Sequence, residues 1–236
     1  MRHDQTARPA TSVSRLLVFA GPLLWPVLIL FHPTPGLDTP YADINDEVNR
    51  WLVVHVGQLI LTPFLFLAVW RLLDGLSSVT ATISRAALVV WTVFFSAYDS
   101  VQGVAMGILT RHANGLPGDE QTAVAGAIDF VVSDSLLAGN ASFVWFVATA
   151  SWVIVAIATA IALHQAGAGR AVVAAACLST VFAVHEAPAA IGLLALAVAG
   201  FLRERQTTTP DPGATAVPSP TDPPTRGTLG IKPTET

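Results

Sequence analysis

Apolar residues gather into five long runs, at 13–31, 51–72, 86–109, 142–163 and 171–202, separated by short polar stretches. Crossing a hydrocarbon core of about 30 Å takes roughly 20 apolar helical residues, and each of the first four runs is close to that length. The fifth is interrupted by His185-Glu186-Ala187-Pro188. As one helix it would measure about 48 Å, too long for a single crossing. It reads as two short helices, with Pro188 in the first turn of the second. The pattern predicts an all-α, polytopic membrane helix bundle of about six transmembrane helices.

Between the runs lie segments of other kinds. Residues 1–12 and the Thr/Pro-rich 206–236 are polar and read as disordered tails around a membrane domain at 13–205. Residues 32–50 form a loop rich in proline and acid, in which Asp46 or Asn49 is placed to cap the next helix. The stretches 71–85 and 164–170 read as short polar turns. Residues 121–137 are helical in composition but carry Asp129 and Asp134, and read as an outer-surface helix rather than a crossing. Trp51 and Trp70 stand near the ends of the second run, where interfacial aromatics belong. The first run follows Arg2, Arg8 and Arg15 and passes Pro22 and Pro26 without a small-residue cleavage site, so it reads as an uncleaved span.

Arginine placement sets the expected orientation. With six crossings, ten of the twelve Lys and Arg residues share a side with both termini, and only Arg50 and Arg111 fall opposite. The positive-inside rule then puts both termini in the cytoplasm of a cell with a bacterial-type inner membrane. A seventh crossing at 121–137 would move Arg203 and Arg205 outside, against the rule.

Composition agrees with lipid as the solvent. The chain is 53% hydrophobic and 12% charged, with a mean hydropathy of +0.59. Soluble domains carry about 25% charged residues. A net charge of −4 without a basic patch excludes nucleic acid as a partner. The one cysteine, Cys177, excludes an intrachain disulfide and reads as a small packing residue. The expected partners are membrane lipid and a lipophilic small molecule, and the sequence names no cofactor.

The candidate chemistry centres on Asp99, an acid inside the third run. At about 100° per residue, Thr92, Ser96, Asp99, Gln102, Gly103, Met106 and Thr110 share one arc. An intramembrane carboxylate faces the bundle interior by default and needs a partner. Asp99 lies about 21 Å along a helix from Arg85, His185 about 22 Å from Arg170, and His55 about 6 Å from Trp51. The three therefore fall at one level in the outer third of the membrane. Gln58 and Thr62 extend His55 along its helix, Gln102 extends Asp99, and His32 and Glu186 border the level from above. The candidate catalytic residues are Asp99, His55, His185 and Glu186. Gln58, Gln102, Tyr98 and Ser96 are candidate ligand-binding residues.

Three readings of this cluster stand side by side. Polar side chains can simply hold helices together. His55, His185 and Asp99 supply the donor types that bind zinc or non-haem iron, and two histidines could hold a haem, although no helix carries a metal-spaced motif. An Asp99–His pair could also work as an acid/base couple in an enzyme, or as a relay in a proton-linked transporter. His164-Gln165 reads as a snorkelling pair at a span end, and His112 and Asn114 as solvated loop residues. No phosphate loop, nucleophile elbow or HExxH occurs. The runs VVHVGQLILTPFLFLAVWRLL and AYDSVQGVAMGIL resemble those of small multi-pass bacterial membrane proteins. Small membrane-embedded terpene cyclases are similar in size and in using intramembrane acids, but share no motif that would carry their residues over.

Overall fold

The computed structural model describes residues 12–33, 40–137, 139, 141–183 and 187–208, and every regular element among them is helical. In chain order these are α1 (Ser12–Leu30), α2 (Pro40–Ile44), α3 (Val48–Leu72), α4 (Val79–Tyr98), α5 (Met106–Ala113), α6 (Gly118–Val132), α7 (Phe143–Gln165), α8 (Arg170–Leu178) and α9 (Ala187–Thr208). A 3₁₀ turn, Asn45–Glu47, joins α2 to α3, and another, Ser179–Ala183, extends α8. A π-helical segment, Asp99–Ala105, fuses α4 to α5.

Three continuous helical stretches, Pro40–Leu72, Val79–Ala113 and Phe143–Gln165, are long and apolar enough to cross a membrane. Their outward faces carry large bare hydrophobic residues, such as Val53 at 66% and Phe146 at 68% exposure. Water would penalise such faces, whereas acyl chains solvate them. These are the marks of a membrane protein. α8 with its 3₁₀ extension is about 24 Å long, short of a full hydrocarbon core.

α4 packs most extensively on α7, and α1 lies between α3 and α9. The centre is aromatic. Trp25 of α1 lies 5.3 Å from Phe95, Trp91 lies 4.9 Å from Trp152 of α7, and Trp152 lies 4.8 Å from Phe182. A buried indole needs an acceptor, and Trp152 Nε1 donates to the Ser179 carbonyl at 2.9 Å, in the 3₁₀ turn. Ser84 bridges α4 to α7 through Thr159 at 2.8 Å and the Val155 carbonyl at 3.1 Å.

Two glycines set helix approach. A Cβ on Gly21 would lie 2.5 Å from the Leu65 backbone nitrogen, and one on Gly192 would lie 2.3 Å from that of Phe182. Backbone cannot step aside as a side chain can. Gly21→Ala is therefore expected to lower stability by about 1–3 kcal/mol, the usual range for overpacking. A thermal melt in detergent, compared with wild type, checks this.

Several boundaries differ from the sequence expectation. The turn expected at 71–85 is shorter, because Ser78 caps α4 by accepting from the Ala81 N–H at 3.2 Å. Arg85 sits within the helix; its guanidinium reaches back to the Leu73 carbonyl at 2.7 Å and lies over the Trp70 ring. Neither Asp46 nor Asn49 caps α3, since the 3₁₀ turn leads straight into it. α6 covers Gly118–Val132 and buries only Ile128. Asp134 then accepts from the Leu136 and Leu137 N–H groups and turns the chain. α9 continues to Thr208, past the expected start of the tail at 206. Cys177 is exposed rather than packed; Val172 and Ala176 hold that face of α8.

Candidate functional site

On α3, Trp51, His55, Gln58 and Thr62 repeat at helical spacing, and all four are buried. Facing them is the π-helical segment. Its wider turn is marked by the Met106 N–H, which reaches Val101 five residues back. The extra residue rotates the packed face. Trp91 and Tyr98 of α4 meet α7, through Trp152 and Trp145 respectively. Beyond them Asp99, Gln102, Gly103 and Met106 are buried, and the segment packs on α3. Asp99 opens that segment.

His55 Nδ1 lies 2.6 Å from Asp99 Oδ1. Its other nitrogen, Nε2, lies 3.2 Å from Nε2 of His32, which follows the end of α1. His32 Nδ1 in turn meets the Pro33 carbonyl oxygen. Asp99 is 2% exposed and His55 5%. The Trp51 ring lies 4.3 Å from that of His55 and 5.0 Å from that of His32, and its Nε1–H donates to the Gly103 carbonyl at 2.8 Å.

Glycine makes this approach possible. A Cβ on Gly103 would lie 2.2 Å from His55 Nδ1, and one on Gly107 would lie 2.6 Å from Leu52 Cδ2 and 2.9 Å from Trp51 Cδ1. Each glycine thus stands where a partner side chain must enter. Their spacing of four residues is a small-xxx-small signature, a signal already present in the sequence.

Proton accounting follows from the partners. A carbonyl only accepts, so His32 Nδ1 carries hydrogen. In neutral His32 the Nε2 is then an acceptor, and His55 Nε2–H donates to it. One further proton lies between His55 Nδ1 and Asp99 Oδ1, held either as imidazolium with carboxylate or as imidazole with carboxylic acid. Either form is electrically neutral as a pair. Among the described residues, the other carboxyl oxygen, Asp99 Oδ2, is buried without a hydrogen-bond partner, as are Gln102 Oε1 and Thr110 Oγ1.

A polar and apolar cap covers this end of the bundle. Ile44, Trp51, Met106 and Ile128 form a buried cluster that joins α2 and α6 to the site helices. Tyr41 Oη donates to Asn114 Oδ1 at 2.9 Å and accepts from Gln121 Nε2 at 3.0 Å; Asn114 Nδ2 donates to the Asn45 carbonyl at 2.8 Å. The Tyr41 N–H reaches Asp129 Oδ1 at 3.1 Å. Asn114 therefore ties the cap together rather than being simply solvated.

The structure thus joins Asp99 to His55 and buries Gln58 and Gln102 beside them. Ser96 is half-buried, and the buried Tyr98 ring packs on Trp145 of α7 with centroids 4.8 Å apart. His185 and Glu186 lie outside the described residues. Two members take roles not foreseen from the sequence. His32 is in direct contact with His55 rather than only bordering it. Trp51 is 2% exposed and packs on both histidine rings. Both nitrogens of His55 are engaged, and among the described residues no three His, Cys, Asp or Glu side chains are placed to hold a metal ion. The geometry is that of a proton-holding array. No protein-family model matches the chain, and neither a curated protein nor a solved structure matches it.

Proposed function

We propose that the chain is a multi-pass cell-membrane protein whose outer-half site binds a lipophilic small molecule and exchanges a proton with it through Asp99. α1, α3, α4 with α5, α7 and α9 supply five passes, and α8 with its 3₁₀ extension, about 24 Å long, makes a sixth where the bilayer thins to meet it. The arginine distribution places both termini in the cytoplasm and the α2–α6 cap outside. The ligand enters from lipid, because the cap covers the outer end. Gln58 and Gln102 offer hydrogen bonds next to the acid, with Ser96 and Tyr98 further along the same helix. The acid/base roles of His185 and Glu186 rest on sequence depth alone.

One observation carries this reading: Asp99 spends one oxygen on His55 and, among the described residues, holds the other buried and unpartnered. A polar lock between helices has no reason to leave that acceptor open, since a buried unsatisfied group costs about 1–3 kcal/mol. An open acceptor beside a proton-holding imidazole is what a general acid/base needs. Against a proton-linked transporter stands the absence, in the sequence, of an internal repeat. A structural subunit remains the competing reading.

Asp99→Asn separates the two. The amide keeps shape and hydrogen bonding but cannot exchange a proton. Expected is a fold retained to within a few degrees of melting temperature, with a lipophilic species in organic extracts of the purified protein depleted by about tenfold. Equal extracts from both proteins, with only a lower yield of the variant, would leave the structural subunit as the better account.

A further inference from the structure

The geometry points to an outward proton relay from Asp99 through His55 to His32, with His32 as its exit. This rests on the acid/base reading of the same site. An imidazole is the side chain that can take a proton on one nitrogen and release another from its second. Here two such rings stand in series, joined nitrogen to nitrogen at 3.2 Å, and the first meets the acid at 2.6 Å. Trp51, the third ring of the stack, has a single N–H and no acceptor, so it can cover the path but not carry a proton.

The hydrogen positions deduced above give the array a direction. Asp99 Oδ2 takes a proton from the bound molecule. The proton on Oδ1 passes to His55 Nδ1; the His55 Nε2 proton passes to His32 Nε2; the His32 Nδ1 proton, held on the Pro33 carbonyl, is released to solvent when that hydrogen bond opens. One O–H and two N–H bonds break within the array, and one O–H and two N–H bonds form. Asp99 keeps the substrate proton, so it is neutral before and after. The net event moves one proton from the ligand to the outer surface, and nothing is oxidised or reduced. Both rings then hold the opposite tautomer and must reset before a second transfer. Exposure follows the same order, with Asp99 and His55 buried and His32 half-buried past the end of α1. His32 is a positioning and relay residue; it touches the reacting atoms only through His55.

The test is hydrogen–deuterium exchange of the Asp99 carboxyl in nanodiscs, followed by infrared spectroscopy. Its band is assigned by its loss in Asp99→Asn. His32→Phe keeps the ring stack and removes both nitrogens. Expected is exchange slowed at least tenfold, with the melting temperature little changed and with free imidazole in the buffer restoring the rate. If His32→Phe does not fold, His32→Gln serves instead, because an amide hydrogen-bonds but does not relay. Exchange at the wild-type rate in the folded variant, or slowing that imidazole does not rescue, overturns the relay and leaves the acid/base reading intact. If Asp99→Asn removes no exchanging band, both fall together.

Discussion

His55→Leu is expected to destabilise the protein by about 1–3 kcal/mol, the usual consequence of leaving a buried carboxyl without its hydrogen-bond partner. Among the described residues Asp99 then has no hydrogen-bond partner on either oxygen. The companion experiment is the double variant His55→Leu with Asp99→Leu. Replacing both members of a buried pair with apolar residues is often neutral or stabilising by about 1–4 kcal/mol, so much of the lost stability should return. Reversible unfolding from mixed micelles measures all three variants as a cycle. Recovery of the fold without recovery of the bound small molecule would show that the pair is kept for its chemistry. Recovery of both would sink the acid/base reading.

Gly103→Ala is expected to inactivate the site by a different route. The new methyl would sit 2.2 Å from His55 Nδ1 and 2.3 Å from Cγ. The ring cannot slide away freely, because Trp51 and His32 pack against it. It must leave Asp99, or α3 must move off the π-helical segment. Overpacking costs about 1–3 kcal/mol, and loss of the carboxyl's partner adds to it. The lipophilic species proposed to occupy the site should fall as far as in Asp99→Asn, although no titratable group has been altered. Co-purified ligand and the Asp99 infrared band check this. A band and ligand content unchanged from wild type would mean that the helices separate easily here and that the tight crossing is not needed.

These two variants show why a small-residue spacing and a polar pair belong to one design. Gly103 gives His55 its place, and the same glycine's carbonyl, reached by the Trp51 indole, holds the covering ring. The π-helical turn makes both possible, by turning Asp99 and Gly103 from the α7 side toward α3.

How far the sequence reaches can be judged residue by residue. Helical runs and their polar breaks were legible because lipid demands internally satisfied backbone and apolar length, which are local properties. Asp99 as the central acid was legible because an intramembrane carboxylate is costly wherever it occurs. Its pairing with His55 was legible from depth counted along helices. The arc through Thr92 and Ser96 was drawn at a constant 100° per residue, and the π-helical turn breaks that assumption. His32 sits beyond a helix that contains two prolines, so counting residues could not tell contact from proximity. Trp51 at a span end looks the same whether it faces headgroups or a glycine carbonyl.

By itself, then, the chain determined an all-helical membrane protein with a buried acid and imidazole at one depth, because hydrophobic length and the cost of charge in lipid act residue by residue. Tertiary structure alone decided which ring touches which: the rotation at Asp99–Ala105, the entry of His55 over Gly103, and the reach of His32 to His55. Those depend on the angle between helices far apart in sequence, and helix angles are set by packing rather than by local pattern.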